Sequence, residues 1–220
     1  MSVQVFDDVL SIEDAKTIEN FVLTMKYRWG AKSLIQHHRY YPFELPKGLK
    51  WGDWEPQSPG NFHWISKFGM TEDSLKIKSH DIILQLWKGL YTRCKLRERF
   101  GVEQLADCYV NVHTYGQAPY LHQDPGNFTM IYYPQLNWDE KAWGGGTTIW
   151  EPEIQEIDQI ENLEVLEHVP YKGNRLVVFD AWHMHRGEPV SRTCKEARYV
   201  IVFKTIANGG NNERLNFYNG

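Results

Sequence analysis

From Leu105 onward the apolar residues of this chain recur at a period of two, and turn residues cut the pattern into short runs. Alternation of that kind puts successive side chains on opposite faces of a strand, so the second half of the chain has to fold as sheet. The runs predict strands near 106–114, 119–124, 127–134, 146–151, 165–169, 174–180, 184–190 and 197–206. A series of short strands following a helical first half predicts a mainly β fold. Its form is a double-stranded β-helix, the jelly roll of cupin-like proteins, with supporting helices on its N-terminal side.

The helices come from the other period. Ser11-Ile12-Glu13-Asp14 resembles a capping box, and Ile12, Ala15, Ile18, Val22 and Met25 follow at helical spacing, which predicts a helix over 11–26. Ile82, Ile83, Leu86, Trp87, Leu90, Tyr91 and Cys94 form a second stripe. Lys95, Arg97 and Arg99 suit its C-terminal end, and Gly101 stops it. Between the helices, Trp29 to Met70 is crowded with Trp, Tyr, Phe and Pro. So many aromatics must be buried against something: the segment is either an ordered loop packed over the core or, as the expectation taken forward, a lid or wall over a binding site. Glu151 to Glu164 is an acidic insertion, read as a solvated face, with a collar for a cationic substrate as the alternative. At 220 residues the chain is expected to be one domain. Residues 1–104 would form buttress and lid, 105–206 the jelly-roll core and 207–220 a tail.

Charge and cysteine usage narrow the function. A formal net charge of −4 with pI near 6.1 gives no field for phosphate backbones, so no nucleic-acid partner is expected. Cys94, Cys108 and Cys194 are odd in number and widely spaced, as suits free thiols in a reducing compartment. The N-terminal residues lack a basic region followed by an apolar run, and no long apolar window occurs. No membrane association and a cytoplasmic location are therefore expected.

Chemistry enters at Gln117–Gly126, where His122 and Asp124 are two residues apart at the end of an expected strand and can reach one point in space. Joined by a second, distant His they would make the facial triad that holds non-haem Fe(II) with positions left open. The bare His-x-Asp pattern arises easily by chance and cannot carry the argument alone. Downstream, Phe179-Asp180-Ala181-Trp182-His183-Met184-His185-Arg186-Gly187-Glu188-Pro189-Val190 offers both His183 and His185, and spacing alone does not choose between them.

An ordered series of blocks resembles the catalytic core of the Fe(II)/2-oxoglutarate-dependent dioxygenases, in particular their prolyl-hydroxylase-like branch. The blocks are Tyr115-Gly116, Tyr120-Leu121-His122-Gln123-Asp124, Ile131-Tyr132-Tyr133, Asn137-Trp138-Asp139, Gly144-Gly145-Gly146, Gly173 to Asp180, His185 to Val190 and Arg198 to Phe203. The resemblance spans Tyr109 to Thr205. It implies that His185, a few residues before Pro-Val, is the distal ligand, with His183 held in reserve. It implies that Arg198 meets the distal carboxylate of 2-oxoglutarate, helped by Tyr133 and, less directly, Tyr115. Arg192 and Lys195 are weaker candidates, because the loop after His185 is longer than usual in the family.

The same resemblance implies Fe(II), 2-oxoglutarate and O2 as metal and cosubstrates, and leaves room for ascorbate as a stimulant. The reaction would be hydroxylation of an unactivated C–H bond of an amino acid, peptidyl residue or small natural product, coupled to decarboxylation of 2-oxoglutarate to succinate and CO2. Asp124 argues against a halogenase, which has a small residue there. A non-catalytic cupin-like binding module is the rival, but it has no need for Arg198.

Overall fold

The computed structural model describes residues 3–32, 62–69, 81–117, 119, 121–151 and 164–208. Its frame is an antiparallel double layer. Strands β1 (Gln4–Phe6), β2 (Arg28–Lys32), β3 (Phe62–Gly69), β4 (Val102–His113), β5 (Phe128–Tyr133), β8 (Arg175–Asp180) and β10 (Arg198–Ala207) form a seven-stranded sheet in the order β1-β8-β5-β10-β4-β3-β2. Strands β6 (Thr147–Trp150), β7 (Val165–Val169) and β9 (His185–Gly187) form a three-stranded sheet in the order β7-β6-β9. This is the mainly β, double-stranded β-helix architecture expected of the sequence.

The alternation of the central strands explains both layers. Met130, Tyr132, Leu176, Val178, Ile201 and Phe203 face the helices, in a core shared with Ala15, Ile18, Val22, Ile83, Trp87, Leu90 and Leu96. Their neighbours Ile131, Tyr133, Val177, Phe179, Val200 and Val202 face the small sheet, packing with Ile149, Val169 and Tyr171. Both faces of the large sheet are therefore buried, and its strands read as nearly continuous apolar runs. A polar side chain on an inward position of these strands stands out against that background.

Helix α1 (Ile12–Thr24) begins where expected: Ser11 Oγ accepts from the Asp14 amide at 3.1 Å while its hydroxyl donates to the Asp14 carboxylate at 2.7 Å. The second predicted helix is two: α2 (Asp81–Arg93) and α3 (Leu96–Phe100), divided at Lys95, which has φ 51° and ψ 49°. That left-handed turn redirects the chain so that both Leu96 and Phe100 are buried, a packing gain that propensity alone does not show.

Three expectations need correction. Residues 119–124 do not form a strand; among the described residues of this stretch, only His122 makes a bridge, to His185. Pro119 has no amide to donate, and the Asp124 amide and Gln123 side chain bond instead to the carbonyls of Ala181 and Trp182. The strand expected at 184–190 is confined to β9, residues 185–187. The aromatic stretch from Trp29 to Met70 is not wholly a lid: its two ends contribute β2 and β3, and β3 pairs along β4. They cover an edge that β4 would otherwise expose, and Phe68 is buried in the core. Residues 33–61 of that stretch, 152–163 of the acidic insertion and 209–220 of the tail lie outside the described residues. Among the described residues no helix is long and apolar enough to cross a membrane.

Candidate metal centre

His122 and His185 are locked together by their backbones before their side chains are considered. The His122 amide donates to the His185 carbonyl at 3.1 Å, and the His185 amide returns the bond at 2.9 Å. The Asp124 amide donates to Ala181 O at 2.9 Å, which brings its carboxylate under the same opening. Ligand atoms of His122, Asp124 and His185 all lie within 4.8 Å of one another. His185 Nε2 is 3.3 Å from Asp124 Oδ2 and His122 Nε2 is 3.9 Å from Asp124 Oδ1. Adjacent ligands on one six-coordinate ion stand roughly 3 Å apart, so the three groups need only small adjustments to share a cation.

The protonation states suit that use. A carbonyl oxygen only accepts, so the 3.0 Å contact of His185 Nδ1 with His183 O puts the proton on Nδ1 and leaves the Nε2 lone pair for a metal. The ring is braced edge-on against Phe179 at 4.8 Å. Burial by itself would raise the Asp124 pKa, but the Lys204 ammonium overcomes it and holds the carboxyl well below the usual carboxylate range. Asp124 Oδ1 lies 2.8 Å from Lys204 Nζ, and Thr129 donates to Oδ2 at 2.8 Å. His122, whose side chain is 19% exposed against 4% for His185, marks the open side.

His183 is buried but is not gathered with these three. It sits in the turn after β8, its Nδ1 3.2 Å from Trp150 O, and serves the site through the carbonyl that orients His185. Arg192 and Lys195 are exposed on the turn beyond Val190.

Arg198 heads the inward-facing positions of β10 and is 1% exposed. Its guanidinium donates to Gly145 O, to Gly146 O at 3.2 Å and to Thr147 Oγ1 at 3.4 Å, with His113 Nδ1 also at 3.4 Å. None of these partners is a carboxylate, so a buried positive charge is hydrogen-bonded but not neutralised by them. Burial pulls its pKa down from the ordinary guanidinium value, while the phenols of Tyr133 and Tyr171 act the other way. Two glycines make room for it. A Cβ on Gly187 would lie 3.0 Å from Arg198 Nη1, and one on Gly145, at φ +82°, would lie 3.1 Å from its Cδ.

Tyr133 donates to Thr147 Oγ1 at 2.7 Å, and burial pushes its phenol up, so it stays protonated. Tyr115 is elsewhere: it lies on the turn after β4 and is 60% exposed, outside the buried group around Arg198.

Sequence reasoning passed over several inward residues. In register across β4 and β10, Arg198 faces His113, Val200 faces Asn111, Val202 faces Tyr109 and Lys204 faces Asp107. Asn111 Oδ1 is buried with no hydrogen-bond partner among the described residues. An amide can rotate its NH2 into that place, so Asn111 adds a donor to an interior that already carries Arg198 and Lys204. Two imidazoles, the ionised Asp124 and the buried guanidinium of Arg198 in the same interior fit a divalent transition metal with a dicarboxylate beside it.

Residues 108–203 match the family model of the 2OG-Fe(II) oxygenase superfamily. A search of curated proteins finds no match to the chain. Among solved structures, the chain is similar to a Trichoplax adhaerens prolyl hydroxylase in complex with a hypoxia inducible factor oxygen degradation domain peptide fragment. The identity is 15% and the TM-score 0.58, over 94% of this chain and 84% of that one. It is also similar to a Pseudomonas putida prolyl-4-hydroxylase, at 11% identity and TM-score 0.51 over 94% and 93% of the two chains. A viral collagen prolyl hydroxylase from Paramecium Bursaria Chlorella virus-1 matches at 14% identity and TM-score 0.51, over 92% and 94%.

Proposed function

We propose that the chain, whose residues 108–203 match the 2OG-Fe(II) oxygenase superfamily, is an enzyme of that class and hydroxylates an unactivated C–H bond of an amino acid, peptidyl residue or small natural product. The observation that carries the proposal is the convergence of His122, Asp124 and His185 in an interior that also holds the buried Arg198. The prolyl hydroxylases among the similar structures favour a peptidyl substrate.

The chain's own residues divide the work. The imidazoles of His122 and His185 and the ionised Asp124 would hold Fe(II) on one side and leave its other side open. When bound, iron and 2-oxoglutarate supply the oxidising chemistry, with O2 as oxidant and succinate and CO2 as the by-products of hydroxylation. Arg198 would pair with the distal carboxylate of the cosubstrate, as a fixed guanidinium fork does best, and Tyr133 would place its phenol beside it. Phe179, Ile131 and Val202 line this interior with apolar surface, which strengthens each of those polar contacts.

The test has two arms. Purified protein supplied with Fe(II), ascorbate and 2-oxoglutarate should release succinate, and a library of peptides and small metabolites screened by mass spectrometry should yield a product heavier by one oxygen atom. Absence of succinate under every condition would sink the reading.

A further inference from the structure

Lys204 is outside the ligand set, yet its ammonium approaches a ligand oxygen more closely than either imidazole does. Nζ is 2.8 Å from Asp124 Oδ1, whereas His122 Nε2 is 3.9 Å from that oxygen and His185 Nε2 is 3.3 Å from Oδ2. The Lys204 side chain is 7% exposed and that of Asp124 3%. Lysine is seldom buried so far unless paired, because its ammonium is strongly hydrated in water. Here the buried ion pair is flanked by the Tyr109 ring, 5.2 Å from Nζ, and by Asp107 opposite in the β-register.

A divalent ion among His122, Asp124 and His185 would stand beside this ammonium and compete with it for Asp124. Arg198 adds another buried cation to the same interior. Metal, lysine and arginine together bring four positive charges against the carboxylates of Asp124 and Asp107. A dicarboxylate that chelates the metal removes most of that imbalance.

We propose that Lys204 couples the loading of metal and cosubstrate: its ammonium holds Asp124 at the ligand position in the metal-free protein, opposes the bare ion, and so makes tight metal binding depend on the dianionic 2-oxoglutarate. The proposal rests on the hydroxylase reading above. Lys204 is thus a positioning residue whose effect is read in equilibria and not only in turnover. Couplings between two ligands generally run from about 5- to 150-fold, and a buried charge next to the ion belongs in the middle of that range.

The experiment titrates Mn(II) into the full chain, with and without saturating 2-oxoglutarate, and follows free Mn(II) by electron paramagnetic resonance. Wild type should bind Mn(II) at least about tenfold more tightly when 2-oxoglutarate is present. Lys204→Met should bind Mn(II) alone about tenfold more tightly than wild type and lose most of the enhancement, while Lys204→Arg, which keeps the charge, should retain it. Circular dichroism checks the fold, and Lys204→Gln replaces the Met variant if that one is unfolded. Equal Mn(II) affinities and equal enhancement in wild type and Lys204→Met would overturn the proposal, as would weaker Mn(II) binding by the variant alone, which would make Lys204 a simple support for Asp124. Wild type that binds Mn(II) neither with nor without 2-oxoglutarate would remove the hydroxylase reading itself, an outcome distinct from either of those.

Discussion

Replacing Arg198 by Met separates binding from stability. The guanidinium is 1% exposed and donates to the carbonyls of Gly145 and Gly146 and to Thr147 Oγ1. Removing it leaves the Gly145 carbonyl without its donor, at about 1 kcal/mol in net terms, whereas Gly146 O keeps the Glu188 amide and Thr147 Oγ1 keeps the Tyr133 phenol. Against that, the folded state no longer carries the desolvation of a guanidinium that its partners do not neutralise, and a flexible thioether of similar length fills much of the space. The two effects oppose each other, so the stability of the metal-free protein should change by no more than about 2 kcal/mol in either direction. Cosubstrate binding has no such compensation. A lost hydrogen bond to a charge is worth about 1.5–3 kcal/mol, which corresponds to roughly tenfold to 150-fold weaker binding of 2-oxoglutarate. Calorimetric titration of 2-oxoglutarate into Mn(II)-loaded wild type and Arg198→Met reads the affinity, and a thermal melt of the metal-free proteins reads the stability. An affinity within twofold of wild type, in a variant that melts normally, would show that Arg198 does not hold the cosubstrate. A large fall in melting temperature would show that it is chiefly a strut between β10 and the Gly145–Thr147 segment.

The other predictions follow from the same geometry. His185→Ala should abolish stoichiometric Mn(II) binding, whereas His183→Ala should keep it, because His183 orients the ligand through a main-chain carbonyl that survives the substitution; the reverse pattern in a metal titration would exchange their roles. Gly187→Ala puts a Cβ 3.0 Å from Arg198 Nη1, so 2-oxoglutarate affinity should fall several-fold with Mn(II) affinity retained, and loss of both would point to a general collapse of β9. Arg175 grips Asp7 in two bonds, Nε to Oδ1 at 2.6 Å and Nη2 to Oδ2 at 3.0 Å, tying the strand end of β1 to β8. Asp7 is partly exposed, so Asp7→Asn should cost only about 0.5–1 kcal/mol at neutral pH. Its hydrogen bond to Arg175, with Lys172 nearby, lowers the Asp7 pKa despite partial burial. The contribution is therefore complete above the ordinary carboxylate value and is lost as pH falls through the lowered one. Melts compared from pH 7 down to about 3 should show the wild-type advantage shrinking, and an advantage that grows in acid would contradict the assignment.

The parts of the fold legible in the sequence were those in which one physical pattern dominates. Period-two runs placed β4, β5, β8 and β10, which bury alternate residues against two different layers, and β6 and β7, which turn Ile149 and Val169 to the large sheet. The break between α2 and α3 was not legible, since Lys95 in a left-handed conformation has no compositional mark and is held there by the burial of Leu96 and Phe100. Nor were β2 and β3, where the aromatics and the prolines between them disguise the last two strands of the sheet as loop. Tyr115 was misplaced for a similar reason. The chain turns before it can point inward, with Gln117 N bonded to Thr114 O at 3.0 Å and Thr114 N to Gln117 Oε1 at 2.8 Å.

Lys204 and His113 carried a signal that was open to reading. Lys204 stands at an even spacing from Arg198 on a strand that is apolar on both faces, and a charge on such a strand has to find a partner inside the barrel. The histidines show the limit of the same rule. Counting by two, His183 and His185 share a strand face and either can reach the iron position. The chain does not obey that count, because Ala181 to His183 form a turn in which the His183 amide bonds back to Asp180 O at 3.0 Å, and β9 begins only at His185. Alternation orients side chains only where neighbouring strands enforce the pleat. At His185 they do, through Ile149 of β6 on one side and the backbone of His122 on the other, and that pairing aims its ring at Asp124.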